Sequence, residues 1–429
     1  MKCKVISGNV APHVVLSFGL GRLHFVQAAQ ALSSHGIELT VHQGWVPGSR
    51  FNNRTLDLIG NMLGSPHLSV GMRRRRLEFL PPERNVSLTW AEIYAQAMLQ
   101  ASRRLGVPRG RAALAGWKAF GRASAARLGT AAQIFHVRSG AGYRSIRRAR
   151  DLGMSVLTDH SIAHPAFMAR HLKPEFEAAG LPFWTGPEDP FWRQVIADAE
   201  AADILLVNSD FVKETFVAEG LPPGKIAVVY LGVRNDFSGL KRDYGTGPRL
   251  ELLFTGQFGT RKGARVLIAA LERLAESGRD FHLTVLGDAS EARDLVAASP
   301  IARRVSLPGF VPQDALGRYL ERSDLYVFPS LAEGCASSAM EALTAGLPVI
   351  ATRETGLPAQ HGRQAWIVPP KDPDALAEAI ATLADDAPLR EGLGRAAAEM
   401  MAQGYTWDDY GRHVAALYER MLDGRIAAP

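Results

Sequence analysis

Leu325-Tyr326-Val327-Phe328-Pro329-Ser330-Leu331-Ala332-Glu333-Gly334-Cys335-Ala336-Ser337-Ser338-Ala339-Met340-Glu341 is the stretch whose reading decides the fold. Its first four residues form a short apolar β pattern, which Pro329 and Ser330 end. After a run of small residues a helical pattern covers 339–345, closed by Gly346. Strand, small-residue loop and helix start are the parts of an anion site, because free backbone N–H groups and the positive end of the helix dipole face the ligand there. Ser337 or Ser338 is the expected N-cap. Glu333 falls in the loop and Glu341 in the first or second helical turn. Two glutamates eight residues apart read, on their own, as solvated surface charge. In this setting they flank a phosphate-sized hole and can accept hydrogen bonds from sugar hydroxyls.

Outward from this stretch, short apolar runs alternate with Ala/Leu/Arg-rich helical stretches, the pattern of βαβ units and a parallel sheet. The pattern occurs twice. Strands are expected at 14–18, 134–137, 155–158 and 204–208, and again at 250–255, 282–286, 305–307, 325–328 and 348–351. The Gly/Asp-rich segment 236–249 reads as a linker. This divides the chain into an N-terminal domain, 1–235, and a C-terminal domain, 250–405. Within the first domain, 52–129 is less regular and reads as a helical insertion or lid near an acceptor site, with helices at 94–105 and 111–128. An amphipathic helix is expected at 407–422.

A second cluster, Phe254-Thr255-Gly256-Gln257-Phe258-Gly259-Thr260-Arg261-Lys262-Gly263, follows a strand and opens a helix at 266–274. Its glycines permit close backbone approach to a ligand. Arg261 and Lys262 supply charge where a diphosphate would lie. The spacing does not match the Gly-x4-Gly-Lys-Ser/Thr phosphate loop; surface basics at a helix start are the bland alternative, and the phosphate reading is preferred.

The Glu-x7-Glu stretch and this loop together resemble the retaining nucleotide-sugar glycosyltransferases of family 4. The resemblance implies the GT-B fold: two Rossmann-like doubly wound α/β domains facing each other across a cleft, with a C-terminal helix, 406–429, crossing back onto the N-terminal domain. It implies that Glu341 binds the ribose hydroxyls and Glu333 meets the transferred sugar. The backbone N–H groups of Cys335, Ala336 and Ser337 would hold the sugar and the distal phosphate. Lys262 matches the family lysine on the diphosphate. The family arginine after the first glycine is Gln257 here, and Arg261 stands near enough in sequence to compensate. The loop Leu307-Pro308-Gly309-Phe310-Val311-Pro312 resembles the one that meets the nucleobase, with backbone near Val311 reading the base edge. In the first half, Gly19-Leu20-Gly21-Arg22 partly resembles the family's Gly-Gly loop, with Gly21 one residue late and Arg22 as an extra phosphate contact. His160, after the strand at 155–158, occupies the position of a histidine close to the sugar; His136 and His164 compete with it.

Composition sets the outer limits. At 429 residues, 47% hydrophobic and 21% charged, the chain suits two soluble-type domains. Cys3 and Cys335 cannot build a disulfide framework and suit a reducing compartment. Lys2 and Lys4 are followed by Ser7, Gly8 and Asn9, which interrupt any signal-peptide core. The expected location is the cytoplasm, with contact at the inner face of the membrane as a second element. That element rests on 71–150, where 17 Lys/Arg face three Glu in a chain of net charge +6. Arg73-Arg74-Arg75-Arg76 is its densest part. A solvated arginine-rich surface and a face for anionic lipid both account for it. Nucleic acid is disfavoured because no aromatic-rich nucleic-acid motif accompanies the arginines.

The implied chemistry is transfer of a sugar from a nucleoside-diphosphate donor, UDP- or GDP-linked, to a glycan, lipid-linked or small-molecule acceptor. The nucleotide sugar is a co-substrate and no cofactor is expected. No Asp-x-Asp motif stands in a fitting place, so metal-independent catalysis is expected, with Lys262, Arg261 and helix N–H groups meeting the leaving charge. The resemblance implies retention by front-face attack, with Glu333 positioning and stabilising charge. A GT-B epimerase and a non-catalytic nucleotide-sugar-binding protein are the alternatives. Cys335 as a nucleophile lacks a partner base at any suggestive spacing.

Overall fold

The computed structural model describes residues 11–21, 24–47, 75–241 and 243–424. Arg22, Arg73, Arg74 and Cys3, and the first part of the 52–129 insertion, therefore lie outside the described residues. Two parallel sheets organise the rest. The first is built from β1 (His13–Ser17), β2 (Glu38–Gln43), β3 (Asn85–Ser87), β4 (Ile134–Arg138), β5 (Ser155–His160), β6 (Ile204–Val207) and β7 (Ile226–Val228), in the order β3-β2-β1-β4-β5-β6-β7. The second is built from β8 (Leu250–Thr255), β9 (Phe281–Leu286), β10 (Val305–Gly309), β11 (Leu325–Phe328), β12 (Val349–Thr352) and β13 (Trp366–Val368), in the order β10-β9-β8-β11-β12-β13. Every strand pair is parallel, for example Val14 beside Ile134 and Leu325 beside Leu252.

Strands buried on both faces read as continuous apolar runs rather than alternating ones. β4, β6, β11 and β12 are of this kind and were legible for that reason. β2, β3, β7 and β13 were not foreseen. β3, β7 and β13 are three residues each, and β2 alternates Leu39 and Val41 with Thr40, His42 and Gln43. Each sheet reverses its strand order once, between β1 and β4 and between β8 and β11. In such sheets the loops leaving the strands on either side of the reversal diverge and open a crevice at the carboxyl ends. Loops 18–21 and 139–142 flank the first crevice. Loops 256–263 and 329–336 flank the second.

The helical pair expected in the 52–129 insertion is present as Thr89–Leu105 and Arg109–Ala125, packed antiparallel over the first sheet with Phe120 fully buried. The 236–249 segment is tied to the second domain: Phe237 joins its core, and the buried Tyr244 hydroxyl donates to Gly346 O at 3.0 Å. The Trp407–Leu422 helix packs against the first domain, where Tyr410, Val414, Leu417 and Tyr418 join the cluster of Val14, Leu16 and Phe25. Its start carries a capping box, Thr406 with Asp409.

The domains also touch through backbone. Gly334 lies against Ser161, and a Cβ there would come within 2.0 Å of Ser161 O. Ser209 Oγ donates to Gly334 O at 2.5 Å, and Leu331 and Ala332 pack into a first-domain cluster.

Tyr418 also reaches a polar group: its hydroxyl and His136 Nδ1 are 2.7 Å apart, both fully buried. Removing one partner of a buried hydrogen bond costs about 1–3 kcal/mol. Tyr418→Phe is therefore expected to lower the unfolding free energy in urea by that amount at pH 7, with little change of m-value; an unchanged midpoint would contradict the role given to this contact.

Candidate functional site

At the reversal of the second sheet, the loop after β8 and the loop after β11 lie side by side. Leu331 N donates to Arg261 O at 2.9 Å, and the Arg261 guanidinium returns a bond to Ala332 O at 2.8 Å. Gly263 makes this possible. Its φ of +75° suits glycine, and a Cβ would lie 2.0 Å from Pro329 O. The result is an ionic cluster: Arg261 Nη1 is 2.6 Å and Lys262 Nζ 3.4 Å from Glu333 Oε1. Lys262 also lies 4.8 Å over the Phe328 ring. Burial lowers the Lys262 pKa, and the Glu333 charge opposes that shift.

The helix after β11 spans Ser337–Ala345, and its N-cap is Ala336, with no side-chain cap. The expectation that Ser337 or Ser338 caps it is thus corrected. Ser337 is the first helical residue and is exposed. Ser338 Oγ is engaged instead with Tyr326 OH at 3.1 Å and Thr255 O at 3.3 Å, across the strand reversal. The first turn thus has no side-chain cap, a helix start of the kind that suits an anion. Glu341 projects from the second turn. Burial raises its pKa, partly offset by a hydrogen bond from Gln313 and by the charge of Arg234. Cys335 is buried, with Sγ 3.0 Å from Met340 Sδ, and burial pushes its thiol far above the usual range. A thiol held protonated is a poor nucleophile.

Some of the expected residues line three cavities, whereas Glu333, Gly256, Ala336 and Val311 line none of the three. Cys335, Ser337 and Glu341 line one of about 350 Å³, together with Arg234 and with His24, Gln27, Ser161 and Asn208 of the first domain. Arg261 and Lys262 line a second of about 430 Å³, with Gln257, Gly259 and Glu291 and an aromatic wall from the first domain. Gly19 and Gly21 line a third of about 300 Å³, against Arg75 and against Glu92 and Trp117 of the helical pair. Gly256 has φ +118°, and a Cβ there would stand 2.8 Å from Lys262 Nζ. Ala336 is buried at the helix start, its N–H bonded to Thr355 O at 3.1 Å. Val311 is half-buried at the exit of β10 and packs on the second core, beside the exposed Phe310.

His160 ends β5 but lines none of these three cavities. It is buried, with Nδ1 2.8 Å from Ser139 Oγ and its ring edge-on to Phe216. Burial lowers its pKa to about 4, helped by the neighbouring His164. The residue before it proves more connected than its sequence suggested. Asp159 Oδ2 lies 3.0 Å from His24 Nε2 and 3.5 Å from His136 Nε2. Burial alone would raise the Asp159 pKa, but the two imidazoles outweigh it and hold the carboxyl well below the usual range. The partly exposed Arg138, its pKa lowered to about 10 by desolvation against the pull of Asp159, lies 4.9 Å over Trp117. His24, Asp159, His136 and Tyr418 thus form one buried polar chain beneath the first crevice. They stand more than a hundred residues apart in places, so no local spacing announced them.

Among the described residues no cluster of His, Cys, Asp and Glu has the arrangement of a metal site. None of their helices is long and apolar enough to cross a membrane.

Residues 249–386 match the family model described as Glycosyl transferases group 1. Among curated proteins, the chain is similar to the amylovoran biosynthesis glycosyltransferase AmsK of Erwinia amylovora, 30% identical over 192 residues, 42% of this chain and 47% of that protein. The chain spans about half the length of the curated relatives it matches. Among solved structures, sucrose-phosphate synthase of Thermosynechococcus elongatus superposes with a TM-score of 0.65 at 18% identity, covering 96% of this chain and 100% of that one. HepE of Anabaena, solved in complex with UDP-glucose, superposes with a TM-score of 0.60 at 13% identity, covering 95% and 99%. The two facing Rossmann-like domains are the shared fold, and the GT-B expectation holds.

A neutral buried histidine binds fewer protons folded than unfolded, so it adds stability above its ordinary pKa of 6.5 that is lost as pH falls towards about 4. His160→Asn should therefore make the rise of unfolding free energy between pH 4 and 6.5 shallower, by up to about 1.4 kcal/mol per pH unit. Urea titrations at several pH values check this. Parallel pH dependences for the variant and the parent would contradict the neutral, enclosed state of His160.

Proposed function

We propose that this protein is a glycosyltransferase that moves a sugar from a nucleoside-diphosphate donor to an acceptor hydroxyl, with retention at the anomeric carbon. The observation that carries this reading is the Arg261–Lys262–Glu333 cluster beside an uncapped helix start at the strand reversal of the second sheet. The match of 249–386 to group 1 glycosyl transferases falls on this same domain.

In this reading the diphosphate lies over the first turn of the Ser337–Ala345 helix. The N–H groups of Cys335 and Ser337 face it, that of Ala336 being taken by Thr355 O, and Lys262 and Arg261 close the other side. Glu341 takes the ribose hydroxyls, and the backbone at Val311 and Gly256 borders the base and phosphates. Gly19 and Gly21 belong to the opposite lip of the cleft. Glu333 leaves its ion pair to meet the sugar, while the cations turn to the phosphate. As the acceptor oxygen bonds to the anomeric carbon, the bond from that carbon to the diphosphate oxygen breaks. The acceptor's proton passes to the departing diphosphate on the same face. Negative charge grows on the diphosphate during this step, so fixed cations in a water-poor cleft stabilise the transition state more than the ground state. His160, neutral at the end of β5, is assigned to the floor beneath the sugar. No bound metal is required by this arrangement.

Glu341→Ala is expected to raise the donor KM by about 10- to 100-fold with a smaller effect on kcat, the loss of charged hydrogen bonds being worth about 1.5–3 kcal/mol. Lys262→Ala and Glu333→Ala should lower kcat by about 100-fold or more. Activity should survive EDTA. Donor-dependent transfer with parental kinetics in all three variants would refute the assignment.

The proposal extends to an anionic membrane surface on the cytoplasmic side. Several cations of the 71–150 segment are engaged within the chain: Arg75 pairs with Glu92, Arg84 with Glu38 and Arg150 with Asp203, and Arg138 lies over Trp117. Others are free to face outward. Arg103, Arg104 and Arg111 are exposed at the turn of the helical pair, next to Leu105. The same Thr89–Leu105 helix exposes Trp90 (81%), Ile93 and Tyr94. Exposed aromatics with neighbouring arginines suit a lipid interface. Co-sedimentation with phosphatidylglycerol vesicles, weakening with salt and with Trp90→Ala, is expected. Equal retention on phosphatidylcholine, or none on either, would contradict it.

A further inference from the structure

The second cavity has two unlike walls. On the second domain's side stand Arg261, Lys262 and Glu291, with the Glu291 carboxylate accepting from Thr260 N at 2.5 Å. On the first domain's side stand Met168 and Leu172 from the Pro165–Ala178 helix, Phe183 and Trp184 from the loop after it, and Trp192 from the start of the Pro190–Ala201 helix. The Trp184 and Trp192 rings are 5.8 Å apart, and the Arg109 guanidinium lies 4.7 Å over Trp184. Trp192 Nε1 is buried without a hydrogen-bond partner. Indole and phenyl rings gathered on one wall are an apolar contact surface, and a buried indole N–H is normally paired. The cavity, at about 430 Å³, is of ordinary size for a small-molecule ligand.

The donor does not account for this wall. Its ribose, phosphates and sugar are polar, its base is placed at the Val311 backbone, which does not line this cavity, and the residues proposed for its ribose and distal phosphate, Glu341, Ser337 and Cys335, line the other one. A glycan acceptor could stack a C–H face on one ring but would leave hydroxyls facing Met168, Leu172 and Leu181, so it does not account for the whole wall. What suits an apolar wall opposite two cations is an amphiphile. Its hydrocarbon or aromatic part lies on the wall, and its polar end lies beside the diphosphate.

Building on the glycosyl-transfer reading above, we propose that this cavity is the acceptor site and that the acceptor is an alcohol carrying an apolar group, a hydrocarbon chain or an aromatic aglycone. The Trp192 N–H donates to an oxygen at the junction of the two parts. The acceptor hydroxyl lies towards Lys262, where its oxygen bonds to the anomeric carbon and its proton goes to the leaving diphosphate.

Calorimetry on the full chain with octyl and methyl β-glucoside, both below the micellar range of the octyl compound, tests this, with UDP, GDP and ADP titrated separately. Octyl glucoside should bind about tenfold or more tighter than methyl glucoside, as expected for burying several methylenes. Trp184→Ala should remove most of that advantage, Trp192→Phe part of it, and Trp90→Ala, on the exposed stripe, none. Nucleotide affinity should be unchanged in all three. Equal affinity for the two glucosides in the parent protein would overturn the proposal without need of any variant. Loss of nucleotide affinity in Trp184→Ala would overturn it too, by showing a base on that ring. Failure of every nucleoside diphosphate to bind would instead strike the glycosyl-transfer reading, whatever the glucosides do.

Discussion

A carboxylate shared by two cations in a partly dry corner sets the terms for the rest of this molecule. Glu333 pairs with Arg261 and Lys262, and its charge opposes the downward shift that burial imposes on the lysine. The same carboxylate occupies the place that a diphosphate would claim. In a medium less polar than water, a ligand carrying two or more negative charges at short range competes strongly for both cations. The ion pair holds the loops after β8 and β11 together, and in the proposed function it stands in for the ligand. Gly263 is the geometric condition for that register, since any side chain there would collide with Pro329 O.

The first domain answers with a buried chain of its own. Asp159 binds His24 and His136, and His136 binds Tyr418 of the C-terminal helix. Tyr410 packs near His24, which lines the same cavity as Glu341. The last helix of the chain is thereby fastened, through hydrogen bonds as well as apolar packing, to the loop region after β1. A low-dielectric polar chain of this kind is stable only while each member has its partner. It fixes how the first domain presents His24 and Ser161 to the second.

How far the sequence could be read follows from locality. The alternation of apolar runs and helical stretches, and the Glu333 to Glu341 spacing, are local signals, and they led to the two-sheet architecture and to the loop of the second domain. Leu325–Phe328 and Leu250–Thr255 coincide with their strands because buried parallel strands carry unbroken apolar runs. β2 mixes polar and apolar residues, and β13 is too short to show a period. The N-cap was misjudged because the Ser338 hydroxyl finds Tyr326 and Thr255, a contact no helix rule contains. His24, Asp159 and His136 meet only through the order of β1, β4 and β5. Trp184 and Trp192 gained meaning only when the loop of Arg261 closed over them.

The central claim is that the start of the Ser337–Ala345 helix, together with Arg261 and Lys262, is a diphosphate site. A crystal structure with a nucleoside diphosphate bound tests it most directly. The account predicts phosphate oxygens within hydrogen-bond distance of Lys262 Nζ and of the N–H groups at the helix start, with the Arg261–Glu333 ion pair opened. A nucleotide seated elsewhere, with that ion pair intact, would contradict it.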